Sequence, residues 1–158
     1  MKKFELTSEF VTFLGKKLFR IKALVSFGDV KEGELGGLVE KEENLDQSGN
    51  AWVSGNAWVS GDARVSGDAR VYGNAWVSGD ARVQNCRDYS ATSCFGSENR
   101  TTTFFRTKDG GISVRCGCFY GTLAEFREKV KERHGGRRLA KEYLMLADLM
   151  EFRLSKDE

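Results

Sequence analysis

Three things are scarce in this 158-residue chain: proline is absent, histidine occurs once, and apolar runs are short. Proline at its usual content of about 5% would give about eight residues. A composition with 18 glycines and no proline is unlike that of a disordered linker. It indicates that the glycines lie at regular turns. The longest apolar run, residues 143–147, is far below the roughly 18 residues of a membrane span. The single histidine excludes any site that needs two or three.

An excess of one charge is also missing, since 25 Lys and Arg stand against 23 Asp and Glu. A non-specific DNA binder would usually be more basic, and we expect no specific nucleic-acid partner. Because the apolar runs are short, we also expect no membrane partner. The basic start Met1-Lys2-Lys3 suits a signal peptide, but Glu5 and Glu9 interrupt the apolar stretch that a signal needs. We therefore expect a cytoplasmic protein whose four cysteines are thiols and form no disulfides.

Six hexads from Gly49 to Gln84 are the main feature of the sequence. They read GNAWVS, GNAWVS, GDARVS, GDARVY, GNAWVS and GDARVQ, so glycine, alanine and valine each keep one phase. Such a repeat predicts stacked units, with three short strands in each 18-residue coil. Alanine and valine, two residues apart, would point inward. Gly-Asn or Gly-Asp would form the corners, because these residue types tolerate a positive φ.

The outward positions of these coils form rows of tryptophan and arginine. Residues 18 apart should stack in neighbouring coils, and the stacked pairs are Trp58 with Trp76, Arg64 with Arg82, and Trp52 with Arg70. The last pair would allow a cation–π contact.

The pattern V-x-G-[ND]-A-x resembles the hexapeptide repeat of left-handed β-helix proteins, and the handedness is an implication of that resemblance. Degenerate hexads extend the repeat: Leu35, Gly37 and Val39 fall in the Val, Gly and Ala phases, Leu45 in the Ala phase, and Tyr89 and Phe95 in the Val phase. We therefore expect a mainly β protein. Its centre would be a short left-handed parallel β-helix of about three to four coils, over residues 35–100, with Tyr89 and Phe95 plugging the wider end.

Residues 1–34 and 101–158 should cap the two ends, because terminal coils would otherwise expose strand edges. Alternating apolar positions around Gly15-Lys16 predict an N-terminal β-hairpin. In the C-terminal segment, two strands flank a turn at residues 108–111, and the capping box Thr122-x-x-Glu125 opens a helix. A second helix is predicted from about Arg138 to Leu154, which makes a ββαα unit.

Both caps carry a further resemblance. The lead-in FGDVKEGELGGLVEKEENLDQSGNAWV resembles that of small hexapeptide-repeat proteins of bacteria and phages, including the YdcK-like family, and it implies no catalytic residue. The tail TTFF…CGCF.GT..EF…V…HG…EY resembles the C-terminal segment of uncharacterised phage and prophage repeat proteins. That second resemblance implies a protein of phage or prophage type.

Enzyme chemistry has few candidate residues. The hexapeptide acyltransferases that the repeat resembles use a general-base histidine beside the prism. Here His134 ends a predicted helix outside the coils, so we expect no enzyme, no catalytic residue and no cofactor, and a diverged acyltransferase is the weakest alternative. A γ-type carbonic anhydrase would need three histidines on zinc. Cys116 and Cys118 share a face of a predicted strand and are weak metal candidates, and Cys86, Cys94 and His134 could complete a tetrahedral set if the fold brings them near. The alternative is cysteine as a small apolar residue under the helices.

The outward tryptophans leave three interpretations open. The hairpin or the C-terminal helices could cover them, copies of the chain could associate as a dimer or trimer, or a partner could bind, since Trp and Arg are favoured interface anchors. The candidate partner- or oligomer-binding residues are Trp52, Trp58, Trp76, Arg64, Arg70 and Arg82.

A basic turn between the two predicted helices is the second candidate surface. Its anion-binding candidates are Arg133, His134, Arg137, Arg138 and Lys141. The N-terminus of the second helix would favour a phosphate, a nucleotide or an acidic protein patch. The alternative is a solvated turn whose cations suit the C-terminus of the first helix.

These observations predict a non-enzymatic binding protein. The phage-like tail implies a bacterial host cell and a host-directed role, such as binding and blocking a bacterial defence or regulatory protein. The alternative of a different class is a protein that sequesters a nucleotide or another small anion, at the basic turn or between protomers.

Overall fold

The computed structural model describes residues 2–95 and 100–155, apart from the side chains of residues 94, 95 and 100. Two long strands open the chain, and a third follows: β1 (Phe4–Phe13), β2 (Lys16–Ala23) and β3 (Leu35–Val39). Six two-residue strands come next: β4 (Trp52–Val53), β5 (Trp58–Val59), β6 (Arg64–Val65), β7 (Arg70–Val71), β8 (Trp76–Val77) and β9 (Arg82–Val83). The last elements are β10 (Tyr89–Phe95), β11 (Arg100–Arg106), β12 (Ile112–Cys116), β13 (Phe119–Thr122), α1 (Leu123–His134) and α2 (Arg138–Leu154).

The six hexads form parallel strand pairs that are 18 residues apart. β4 pairs with β7, β5 with β8, and β6 with β9. The stacking predicted for the Trp and Arg rows is therefore confirmed. Every Ala and Val of the hexads is at most 1% exposed. The six corner glycines have φ between 62° and 72°, a region that other residues avoid. This part of the chain is a β-solenoid with a core of small apolar side chains.

The first turn of the solenoid is longer than the others, and this corrects four predicted phases, those of Leu35, Gly37, Val39 and Leu45. Val39 pairs with Val59, and Leu45 bridges Val65, so both spacings are 20 residues. Val39 and Leu45 keep the ordinary spacing of six residues, so the two extra residues lie between Leu45 and Val53, which are eight residues apart. Leu35, which was expected to point inward, is 56% exposed.

The predicted N-terminal hairpin is present, and it extends one face of the solenoid. β1 and β2 are antiparallel, β2 pairs antiparallel with β3, and β3 pairs in parallel with β5, giving the strand order β1-β2-β3-β5-β8. The hairpin therefore covers a strand edge that would otherwise be exposed. Gly36 on β3 leaves no room for a side chain, because a Cβ there would lie 2.5 Å from the carbonyl oxygen of Val53 and 2.7 Å from Cγ1 of Ile21 on the hairpin.

The repeat ends earlier than predicted. Tyr89 and Phe95 lie on β10, which is antiparallel to β11 in a four-stranded sheet β10-β11-β12-β13. They do not form a further coil, because the chain after Val83 lacks the regular corner glycines. It instead forms an antiparallel hairpin of β10 and β11. Tyr89 still packs against the solenoid core, and its hydroxyl donates to the carbonyl of Arg70 at 2.5 Å. The side chain of Phe95 lies outside the described residues.

Both predicted helices are present with the expected bounds. Thr122 and Glu125 form the predicted capping box, and Gly135 follows the end of α1. The four-stranded sheet lies between the helices and the solenoid, because neighbouring residues of β11 face opposite ways. Phe104 packs in the core beneath the helices, whereas Phe105 packs in the solenoid core. In the described part of the chain, neither helix has the length and apolar character that a bilayer span requires.

Candidate binding groove

The outward tryptophans Trp58 and Trp76 lie beneath the tip of the N-terminal hairpin. Phe13 contacts both, with ring centroids 5.3 Å from Trp58 and 5.0 Å from Trp76. The two indoles meet edge to face at 4.9 Å. The Trp76 Nε1 also donates to the Ser60 hydroxyl at 2.7 Å. The hairpin therefore covers part of the Trp58–Trp76 face, as one of the three interpretations expected. Both tryptophan side chains nevertheless keep some exposed surface.

A groove of about 390 Å³ remains open between the hairpin and the solenoid at this place. The groove is lined by four apolar side chains, two side-chain amides and one arginine. The lining residues are Val11, Arg20, Leu38, Asn56, Trp58, Asn74 and Trp76. The Arg20 guanidinium is held in place, because Nη1 donates to the carbonyls of Gly36 at 2.8 Å and Gly55 at 3.1 Å. Two tryptophans, two side-chain amides, a fixed arginine and a volume of this size suit a ligand pocket.

Arg115 lies beside the groove and stacks on Trp76. Its guanidinium carbon is 3.6 Å from the centre of the indole and 5.7 Å from the ring of Tyr120. Burial lowers the pKa of Arg115, and nearby Cys118 and Tyr120 oppose that shift. Its Nε is buried without a hydrogen-bond partner, and within residues 2–95 and 100–155 no carboxylate pairs with it. The stacked guanidinium therefore presents an oriented positive charge next to the groove.

The predicted set of outward residues is divided among three faces. Trp52 is only 1% exposed and packs edge to face on Phe27 at 5.4 Å, so its assignment to a partner surface was wrong. Phe27 belongs to the lead-in segment, and Asp29 of the same segment forms an ion pair with Arg70. The predicted cation–π contact between Trp52 and Arg70 is replaced by these two interactions.

Arg64 and Arg82 lie on the remaining face, beside a polar cavity of about 450 Å³. Arg82 is tied to the backbone, since its Nη1 donates to the carbonyls of Asp62 at 2.8 Å and Ala81 at 2.9 Å. Lys41 pairs with Asp62 at 2.9 Å. This face is a network of local charges, and the groove is not part of it.

The basic turn lies at the far side of the C-terminal unit, between α1 and α2. Arg133, Arg137, Arg138 and Lys141 are exposed, and His134 stacks on Tyr143 at 5.7 Å. Arg137 is the N-cap residue of α2 and provides no side-chain cap. The five residues are adjacent, as the sequence indicated, and anion binding there stays a prediction.

The cysteines do not lie as predicted. Cys116 ends β12, whereas Cys118 lies in the following turn, where Gly117 has φ 59°, so the two thiols do not share a strand face. Cys86 and Cys118 are exposed, which differs from the expected packing under the helices. Cys94 has its side chain outside the described residues. In the described ranges, no three His, Cys, Asp or Glu side chains are grouped so that they could hold a metal ion.

Comparison with known families supports the repeat architecture. A family model, the YdcK beta solenoid repeat, matches residues 63–79, which include β6, β7 and β8. This is a β-solenoid repeat protein. The match concerns the repeat alone and lies outside the hairpin and the C-terminal unit. No curated protein matches the chain.

Several residues of the groove were not predicted as site residues, although the repeat contains a signal for some of them. Every hexad with an outward tryptophan has asparagine two residues earlier, and every hexad with an outward arginine has aspartate there. Asn56 and Asn74 thus accompany Trp58 and Trp76 on one face. Val11, Arg20 and Arg115 come from distant segments, and their positions depend on how the caps fold onto the solenoid.

Proposed function

We propose that this protein is a non-enzymatic binding protein that holds a segment of a bacterial host protein in the Trp58–Trp76 groove. The observation that carries the proposal is the groove itself, where two tryptophans stay partly exposed although the hairpin packs on them. Tryptophan in a central, partly closed pocket is the residue most often found to dominate binding energy. The occupant would be an extended segment with an aliphatic or aromatic side chain for the apolar wall.

Arg115 adds a charge preference to the proposed partner. A half-buried guanidinium without a carboxylate partner in the described residues favours an acidic group on the ligand, because pairing would compensate the cost of its burial. An aromatic or aliphatic side chain next to Asp or Glu is therefore the chemistry that suits the groove. Binding would act by occlusion: the rigid solenoid would cover a site on the host protein.

The finer features of the fold and setting belong to the same proposal. The solenoid would be left-handed with about three to four coils, as in the hexapeptide-repeat proteins that its sequence resembles. The tail would mark a phage or prophage protein that acts in the cytoplasm of a bacterial host, against a defence or regulatory protein. A nucleotide or anion bound at the basic turn remains the alternative.

A pair of neighbouring substitutions on β1 tests the groove. Val11→Arg places a long charged side chain on the groove wall, whereas Thr12→Arg makes the same change on the opposite face of the strand. Both positions are exposed, so both variants should fold. In affinity capture from bacterial lysate, wild type and Thr12→Arg should retain the same host protein, and Val11→Arg should reduce its recovery at least tenfold.

Thermal unfolding of both variants provides the control for folding. A host protein that Val11→Arg retains as well as wild type does would show that binding occurs elsewhere. Retention of nucleotide with no host protein would favour the sequestering alternative.

A further inference from the structure

The outer face of α2 has an exposed apolar stripe in its C-terminal half. Met145 is 71% exposed, Leu149 55% and Phe152 84%. Their spacing of four and three residues places them on one side of the helix, opposite the buried stripe that includes Tyr143, Ala147 and Met150. Three large apolar side chains in a row on a helix surface indicate an interaction site.

The N-terminal half of the same face is basic. Arg138 and Lys141 are seven and four residues before Met145, so they share the helix side with the apolar stripe. Both are exposed, and no ion pair involves either of them in the part of the chain that the structure describes. The face therefore joins a basic half to an apolar half along one helix.

The order of these residues is symmetrical about Met145. Arg138 and Phe152 are both seven residues from it, and Lys141 and Leu149 are both four residues from it. In an antiparallel pair of α2 helices with a two-fold axis at Met145, each Met145 meets its copy. Lys141 then lies opposite Leu149 of the second copy, and Arg138 opposite its Phe152, a cation–π geometry.

Charge complementarity favours this antiparallel arrangement. Asp148 lies two helical turns after Lys141, on the same flank of α2. Arg127 of α1 holds the Asp148 carboxylate at 2.8 Å, which orients it at the surface. The two-fold axis brings Lys141 of each copy beside Asp148 of the other, so the attraction occurs twice. In a parallel pair the two-fold axis would put the equivalent flanks on opposite sides of the interface, so Lys141 would not meet Asp148 of the other copy.

We propose that α2 is a homodimer interface, in which the outer faces of two copies pack antiparallel about Met145. The 17-residue helix is about 25 Å long, so one helix pair is smaller than a standard interface of about 1,600 Å². The dimer is therefore reversible, with a dissociation constant of about 1–100 μM. Such a dimer presents two grooves. The proposal does not depend on the groove, which lies on the solenoid.

Sedimentation velocity across the micromolar range tests the dimer with two matched leucines. Leu149→Glu places a charge in the apolar stripe, and Leu14→Glu makes the same change at a leucine of similar exposure, 62%, on the hairpin turn. Wild type and Leu14→Glu should dimerise, and Leu149→Glu should raise the dissociation constant at least tenfold. A wild type that stays monomeric at all concentrations, or a dimer unaffected by Leu149→Glu, overturns the proposal.

A charge exchange tests the antiparallel register. Lys141→Asp and Asp148→Lys each place like charges together in the homodimer, so each variant alone should be largely monomeric. A mixture of the two should form a one-to-one heterodimer, because both contacts then join opposite charges. Two variants that stay monomeric when mixed, while wild type dimerises, would overturn this register. Val11→Arg, which blocks the groove, should dimerise as wild type does.

Discussion

The solenoid and the C-terminal unit have different kinds of core. The solenoid core is mostly alanine and valine, and within the hexads the paired valines stack on each other 18 residues apart. The C-terminal core contains larger and more varied side chains from two strands and two helices. Phe126 is at its centre, with ring contacts to Phe104 at 5.7 Å, Phe119 at 5.8 Å and Tyr143 at 5.8 Å.

The two cores therefore distribute their contributions to the free energy of unfolding differently. Burial energy in the solenoid is spread over many small side chains, each of which contributes a modest amount. Burial energy in the C-terminal unit is concentrated in a few aromatic rings. The two cores meet at β11, through Phe104 on one side and Phe105 on the other. All three tryptophans lie in the solenoid, so fluorescence reports mainly on that region, although Arg115 of the C-terminal unit contacts Trp76. Both described α-helices lie in the C-terminal unit, so helical circular dichroism reports on that unit.

The largest effect is expected from Phe126→Ala in the C-terminal unit. Loss of the central ring leaves a cavity, and the free energy of unfolding should fall by about 3–5 kcal/mol. Urea unfolding followed by circular dichroism measures the change. Phe126→Leu, which keeps most of the volume, should cost clearly less. If the free energy of unfolding of Phe126→Ala fell by less than about 1 kcal/mol, the large contribution assigned to this ring would be contradicted.

A smaller effect is expected from Val59→Ala in the solenoid. Val59 is fully buried on β5, between β3 and β8, and its truncation should cost about 2 kcal/mol. Tryptophan fluorescence during urea unfolding measures this loss. Val11→Ala, at a valine that is 38% exposed, should change stability by less than about 0.5 kcal/mol. A loss at Val59 as large as that at Phe126 would contradict the comparison.

A pH-dependent effect is expected from Lys3, at the start of the solenoid. Its ammonium donates to the carbonyl of Ala51 at 2.8 Å, and burial lowers the pKa of Lys3 to about 8. The unfolded chain, with an ordinary pKa of about 10.4, binds more protons between these values. The free energy of unfolding should therefore rise as pH increases from about 8 to about 10.

The Lys3→Met variant isolates this contribution. Because methionine does not titrate, the stability of wild type relative to the variant should increase between pH 7.5 and pH 10 in urea unfolding. A difference that stays constant or decreases over this interval would show that the lysine pKa is not lowered.

The sequence predicted the regular parts of the fold because their signals are local. The hexads determine the register of Trp58 with Trp76, and the capping box at Thr122 determines where α1 begins. The two-residue excess between Leu45 and Val53 was missed, since this segment has no repeat signal before Gly49. The position of Tyr89 was also missed, because its spacing fits the hexad phase while its backbone pairs with β11.

The groove was predictable only in part. Trp58 and Trp76 were identified from their outward phase, and the asparagine–tryptophan association identifies Asn56 and Asn74. The burial of Trp52 depends on Phe27, and the charge beside the groove depends on Arg115. Both of these come from segments outside the repeat, where side-chain packing between distant elements decides the contact and no periodic pattern exists.

Tryptophan fluorescence during titration with the captured host protein tests the central claim most directly. If the groove holds the partner, the emission of Trp58 and Trp76 should change in a saturable way in wild type and in Thr12→Arg. In Val11→Arg the apparent dissociation constant should rise at least tenfold. Binding of equal affinity in all three proteins, with no change in tryptophan emission, would contradict the assignment of the groove.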